Sequence, residues 1–167
     1  MNKPLTSPSI VEAIRAAYGD LERPNYAFTK KRYKTLIRHD FVADLMATYF
    51  VKDDTDLNDH VAVHLRVRDN HCVTLQLCLS LVSNFAMAFR YDSNGLLYSE
   101  VVDGSTADLT DFEREILNRL EKYGFRVLCK SEAAVPIEMN LFNTDANDAR
   151  VYHAVISDSG LVPDVLR

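Results

Sequence analysis

Across most of residues 60–102 every second residue is apolar, and that period of two restricts the possible folds more than anything else in the chain. Val61, Val63, Leu65 and Val67 alternate within 60–69. Val73, Leu75, Leu77, Leu79 and Leu81 alternate within 72–83, and Phe85, Met87, Phe89 and Tyr91 within 84–92. Successive strand side chains point to opposite faces, so such runs predict strands with one face against a core. One-sided patterning is common in antiparallel sheets. The expected unit is a four-strand meander over 60–102. Its last strand, 96–102, follows Asp92-Ser93-Asn94-Gly95, in which Asn-Gly is a strong hairpin signal.

Parity constrains the first turn. Val67 and Val73 share a face only if paired residue numbers sum to an even value. A three-residue loop, Asp69-Asn70-His71, meets that condition and sets His64 opposite Gln76 and Arg66 opposite Thr74. The expected outer face then carries His60, Ala62, His64, Arg66 and Arg68 from the first strand. The second strand adds Cys72, Thr74, Gln76, Cys78 and Ser80, and the third adds Ala86, Ala88 and Arg90. This face is polar, basic at one end and dotted with small residues. Its plain reading is a solvated sheet surface. Its functional reading is a shallow groove or interface, with His64, Arg66, Arg68, Gln76 and Arg90 as candidate binding residues. Small side chains let another surface approach, and arginine suits interface ion pairs.

Helices flank the meander. Ser9 and Glu12 have the spacing of a capping box, Ile10, Ile14, Ala17 and Tyr18 follow at helical intervals, and Gly19 suits the stop. Tyr33, Ile37, Phe41 and Leu45 recur every four residues within 29–51, which predicts one helix, or two if Asp40 caps a second. Lys30, Lys31 and Arg32 would open that region with the wrong sign for a helix N-terminus. Asp53, Asp54, Asp56 and Asp59 read as an acidic linker. Thr110 and Glu113 mark a further capping box, ahead of Phe112, Ile116, Leu120 and Tyr123, and Gly124 closes that helix. Phe125, Val127 and Cys129 alternate as a fifth strand. Residues 136–141 read as a short strand or irregular chain, and 151–157 as a last strand. The expected fold is α+β in one domain, 1–167. An antiparallel sheet of five to six strands carries two to three helices packed on one face.

Several chemistries are argued against. The chain has five glycines, too few and too scattered for a phosphate-binding loop of Walker or Rossmann type. The Gly-x-Ser-x-Gly elbow is missing. Asp54, Asp56 and Asn58 imitate the start of a calcium loop, as do Asn143, Asp145 and Asn147, but both lack the required glycine and the final glutamate. His60 and His64 would stand about 13 Å apart on a strand, too far to share a metal. No cofactor and no metal are expected. A net charge of −5 argues against nucleic acid as a partner, since phosphate binding needs a basic surface. Three cysteines, an odd number, do not make a secreted disulfide framework and fit a reducing cytoplasm. The N-terminus does not read as a signal peptide. No apolar run reaches the roughly 20 residues of a membrane span.

The expected function is a non-enzymatic cytoplasmic protein-interaction or regulatory domain, chaperone-, inhibitor- or immunity-like. Its partner is another protein or a second copy of itself. The alternative is a small-molecule or anion binder, or a hydrolase, in which Arg66, Arg68 and Arg90 hold an anion and His64 serves as acid or base. The order helix, strands, helix, strands resembles that of type III secretion chaperones. That resemblance implies partner binding and dimerisation.

Overall fold

The computed structural model describes residues 9–160 and 163–167. The alternating segments form β2 (Ala62–Arg68), β3 (Thr74–Ser80), β4 (Phe85–Tyr91) and β5 (Tyr98–Val102). They pair as the expected antiparallel meander, and β1 (Phe50–Asp53) extends it along β2. A two-residue strand, β6 (Arg126–Val127), runs parallel to β4 and pairs with Phe85 and Ala86. The protein is therefore α+β, with a six-stranded, mostly antiparallel sheet and six α-helices among the described residues.

The capping boxes set the helix starts. Ser9 caps α1 (Ile10–Tyr18) by accepting from the Glu12 N–H, and Thr110 does the same from Glu113 for α4 (Asp111–Lys122). Each glutamate bonds back to its cap, satisfying N–H groups the helix leaves open. Helix α4 ends with the Phe125 N–H on the Leu120 carbonyl and the Gly124 N–H on that of Glu121. This Schellman ending needs the left-handed Gly124, at φ 81°. Residues 29–51 resolve into α2 (Phe28–Leu36) and α3 (Asp40–Thr48). His39 rather than Asp40 caps α3, its Nδ1 accepting from the Phe41 N–H at 3.1 Å. The uncompensated basic turn of α2 serves docking: Arg32 Nε donates to the Leu81 carbonyl at 3.1 Å.

Two cores lie on opposite faces of the sheet. On one, Val63, Leu65, Val67, Leu75, Leu77 and Leu79 pack beneath α3 and α4 through Phe41, Leu45, Ile116 and Leu120. Partly buried side chains of α2 join them, so three helices share that face. On the other, Ala62, Cys78, Met87 and Phe89 pack against Ile14 and Tyr18 of α1. The short helix α5 (Lys130–Ala133), helix α6 (Val151–Val155) and Ile137, Met139 and Leu141 complete this second core.

Four expectations are corrected. The β2–β3 loop spans five residues, 69–73, because the Asp69 carboxylate accepts from the N–H groups of His71 and Val73 and Cys72 turns left-handed at φ 64°. Parity stays even while the register moves by two, so His64 faces Cys78 and Arg66 faces Gln76. Strand β4 is inverted: Cys78 pairs with Met87 and Leu77 with Ala88. Both faces of β4 are buried from Phe85 to Phe89, so size, not polarity, sorts its residues. The alanines face the core beneath α3 and α4, and Phe and Met fill the second core. The expected strand at 151–157 is mostly the helix α6; its residues are all buried, so no polar face marks a period. Finally, β1 occupies the end of the expected helical region and the start of the acidic linker. It is a mostly exposed edge strand without an apolar alternation to announce it.

Candidate functional site

The sheet face expected to be open is half covered. Ala62 and Cys78 lie in the second core with α1 and α6, and Ser80, His64 and Gln76 are buried as well, the last two at 4% and 2% exposure. The polar end beyond them remains open. Register alone assembles it: Phe50 pairs with Arg68 and Lys52 with Arg66, and these pair onward with Thr74 and Gln76. Directly opposed side chains stand close enough to interact. Lys52 and Arg66 would repel, but Asp54 sits between them, 2.8 Å from Lys52 Nζ and 3.0 Å from Arg66 Nη2. The Arg66 guanidinium lies 5.4 Å from the Tyr91 ring centre, and that of Arg68 lies 4.8 Å from Phe50. Among the described residues Arg68 has no ion pair.

Phe50, Lys52, Arg66, Arg68, Thr74 and Tyr91 line an open groove of about 710 Å³. The β2–β3 loop contributes Cys72 and Val73, and the β4–β5 turn contributes residues 92–95. A second pocket of about 410 Å³ adjoins it, sharing Arg66 and Tyr91. That pocket is lined by Asp54, His60, His64 and Gln76, by Tyr98 and Tyr152, and by the exposed Leu96 and Leu97.

Arg90 does not join the other candidates. With β4 inverted, its side chain turns to the helical face and only borders the first groove. Both oxygens of Glu113 receive it, from Nε at 2.6 Å and Nη2 at 2.7 Å, while Nη1 reaches Glu100 and Asp108. Burial pushes the Glu113 carboxyl up, but Arg90 and the Thr110 N–H outweigh it and hold the group below its usual range. Arg90 thus pins α4 to the sheet.

His64 is fully engaged inside the chain. Its Nε2 donates to the Ile156 carbonyl at 3.3 Å, which leaves Nδ1 to accept from the Cys78 thiol at 3.6 Å. Burial, helped by the neighbouring His60, pushes its pKa down to about 3. Burial also pushes the Cys78 thiol strongly up. Near neutral pH this pair holds a neutral imidazole and a protonated thiol, so it cannot act as an activated nucleophile. The expected 13 Å between His60 and His64 is overturned as well. The chain bends at Val61 and the two rings stack, with centres 3.7 Å apart. They do not chelate: His60 Nδ1 accepts from the Asp56 N–H at 2.9 Å. Among the described residues no group of three or more His, Cys, Asp or Glu side chains could hold a metal ion.

Gln76 differs from these satisfied neighbours. Its Oε1 accepts from the Tyr91 hydroxyl at 2.5 Å, while its Nε2 is buried with no partner. Alternation in the sequence singled out His64, Arg66, Arg68 and Gln76 as one face, and the structure keeps them on one face. It adds Phe50, Lys52 and Asp54, which the helical and linker readings hid, and Tyr91 and Tyr98, which read as core and strand. The only signal for Lys52 and Asp54 was their spacing of two ahead of a strand.

Among the described residues no helix is long and apolar enough to cross a membrane. Comparison with protein-family models, curated proteins and solved structures finds no match to this chain.

Proposed function

We propose that this chain is a non-enzymatic protein-interaction domain that holds an acidic segment of a partner protein in the groove over Phe50, Lys52, Arg66 and Arg68. The observation that carries the reading is Arg68. It is an exposed guanidinium, oriented by the Phe50 ring, with no carboxylate partner among the described residues, in a chain of net charge −5. A planar, preoriented guanidinium receives carboxylates with two hydrogen bonds. Lys52 and Arg66 beside it share a single carboxylate, Asp54, so the cluster keeps an excess of positive charge. A chaperone-, inhibitor- or immunity-like role fits such a surface. Three free thiols fit a reducing compartment such as the cytoplasm. The buried, neutral His64–Cys78 pair speaks against the hydrolase alternative.

The test is titration with acetylated hexa-aspartate amide at low salt. Binding should weaken steeply as salt rises, because exposed charges are screened, and Arg68→Glu should abolish it. Saturable binding of inorganic phosphate in preference to the peptide would favour a small-anion binder. No binding of either probe would overturn the groove as a recognition site. Sedimentation of the chain alone checks self-association, and a dimer disrupted by Arg68→Glu would make the partner a second copy.

A further inference from the structure

We infer that the pocket beside Arg66 is an anchor pocket for an apolar residue of the partner segment, recognised through one carbonyl oxygen that accepts from Gln76 Nε2. The inference rests on the acidic-segment reading above and adds an uncharged contact to it.

The amide of Gln76 carries two N–H donors, and burial makes an unmade donor costly. No acceptor of the chain bonds to this donor. Both ring nitrogens of His64 are engaged. The Tyr91 hydroxyl already donates to Oε1; Asp54 ion-pairs with Lys52 and Arg66, and its Oδ2, itself buried without a hydrogen bond, does not bond to the Gln76 amide either. Turning the amide over would only exchange which of its two polar atoms meets Tyr91. A buried polar group with no internal partner, in the lining of a pocket, is suited to an external one.

The rest of the lining defines that partner. Tyr91, Tyr98, Leu96, Leu97 and Pro163 give it aromatic and aliphatic walls. Leu96 and Leu97 are 78% and 65% exposed, apolar surface at the pocket lip that neither core uses. The charges present are already paired: Asp54 with Arg66, and Asp164 with Arg167 at 3.2 Å. A second anion would find no free cation here, whereas a neutral carbonyl flanked by apolar surface finds a donor and walls. Gln76 lies opposite Arg66, and Arg68 is two residues further along β2, about 7 Å by strand rise. One extended segment can therefore place an acidic residue on Arg68 and its anchor about two residues away.

Two probes separate the contacts: acetyl-Asp-Asp-Gly-Phe-amide and the same peptide without Phe. Native protein should bind the longer peptide about tenfold more tightly, the worth of one buried hydrogen bond with its apolar contact. Gln76→Met keeps length and volume and removes the amide. It should cut that preference to what the apolar contact alone supplies, leave the shorter peptide's affinity unchanged, and hold or raise the thermal midpoint. Equal affinity of the native protein for both peptides would overturn the inference. So would a lowered midpoint with the preference intact, which marks a structural amide. Arg68→Ser should weaken both peptides alike. If neither peptide binds the native protein, the groove reading fails, and acetyl-Phe-amide at millimolar concentration still tests the pocket. A shift of the Gln76 side-chain amide signals in heteronuclear spectra would uphold it, and no shift would sink it.

Discussion

The two faces of the sheet are built by different means. The helical face is one continuous core, closed by α3 and α4, whose apolar stripes recur at helical spacing. The opposite face is divided. Its middle is as buried as the helical face, but it is covered by α1, the short α6 and irregular chain after residue 128, and beyond that cover the sheet lies open. The face assembled from regular elements is fully used up by folding. The one covered in part by irregular chain leaves polar residues next to solvent, and the unbonded Gln76 donor and the Arg68 guanidinium both lie there.

Four outcomes test how far that division holds. The largest effect should come from the middle of the divided face. Phe89 is fully buried there, so Phe89→Ala should lower stability by about 3–5 kcal/mol in denaturant unfolding. A loss below 1 kcal/mol would mean that this half is not a core.

Next comes acid. The folded pKa of His64 is pushed to about 3 from 6.5, so the unfolded chain binds a proton that the native chain refuses. Stability from keeping His64 neutral is complete above 6.5 and is lost as pH falls toward 3, at roughly 1.4 kcal/mol per pH unit at most. His64→Gln should flatten that limb, and an unchanged acid limb would show that His64 is solvated.

On the helical face, Glu113→Ala strips Arg90 of its bidentate partner. A loss of about 2–3 kcal/mol is expected, less than for a fully buried pair because Arg90 is partly exposed. The carboxyl of Glu113 sits below its ordinary value. Its contribution is therefore present above that value and lost as pH falls through the lowered one, later in an acid titration than that of His64.

The smallest effect belongs to the groove. Arg68→Ser should change stability by no more than about 0.5 kcal/mol, although it removes the residue expected to matter most for binding. A large loss would make Arg68 structural, like Arg90.

The sequence made the helical face legible because each element there has a polar side to contrast with an apolar one. Val63, Leu65 and Leu77 alternate, and Phe112, Ile116 and Leu120 recur at helical spacing with a capping box ahead. The divided face lacked that contrast. Strand β4 is apolar on both sides, so Phe89 and Ala88 could be sorted only by size, which alternation does not report. Helix α6 is buried throughout and resembled a strand. Of the candidate residues, Arg66, Arg68 and Gln76 followed from parity, which survived a two-residue change in register. Arg90 was misplaced because β4 was inverted. Lys52 belongs to an edge strand too short and exposed to carry a pattern.

The strand β4 also has two different neighbours along its length: β5 from Ala88 to Tyr91, and β6 at Phe85 and Ala86. The first neighbour follows after a tight turn, whereas the second arrives only after β5, a long loop and α4. Closing the longer loop carries the larger entropic cost, and distant pairings slow folding. The meander is therefore expected to form early and β6 to dock late, so β6 acts as a clasp that slows opening of the finished sheet more than it speeds its assembly.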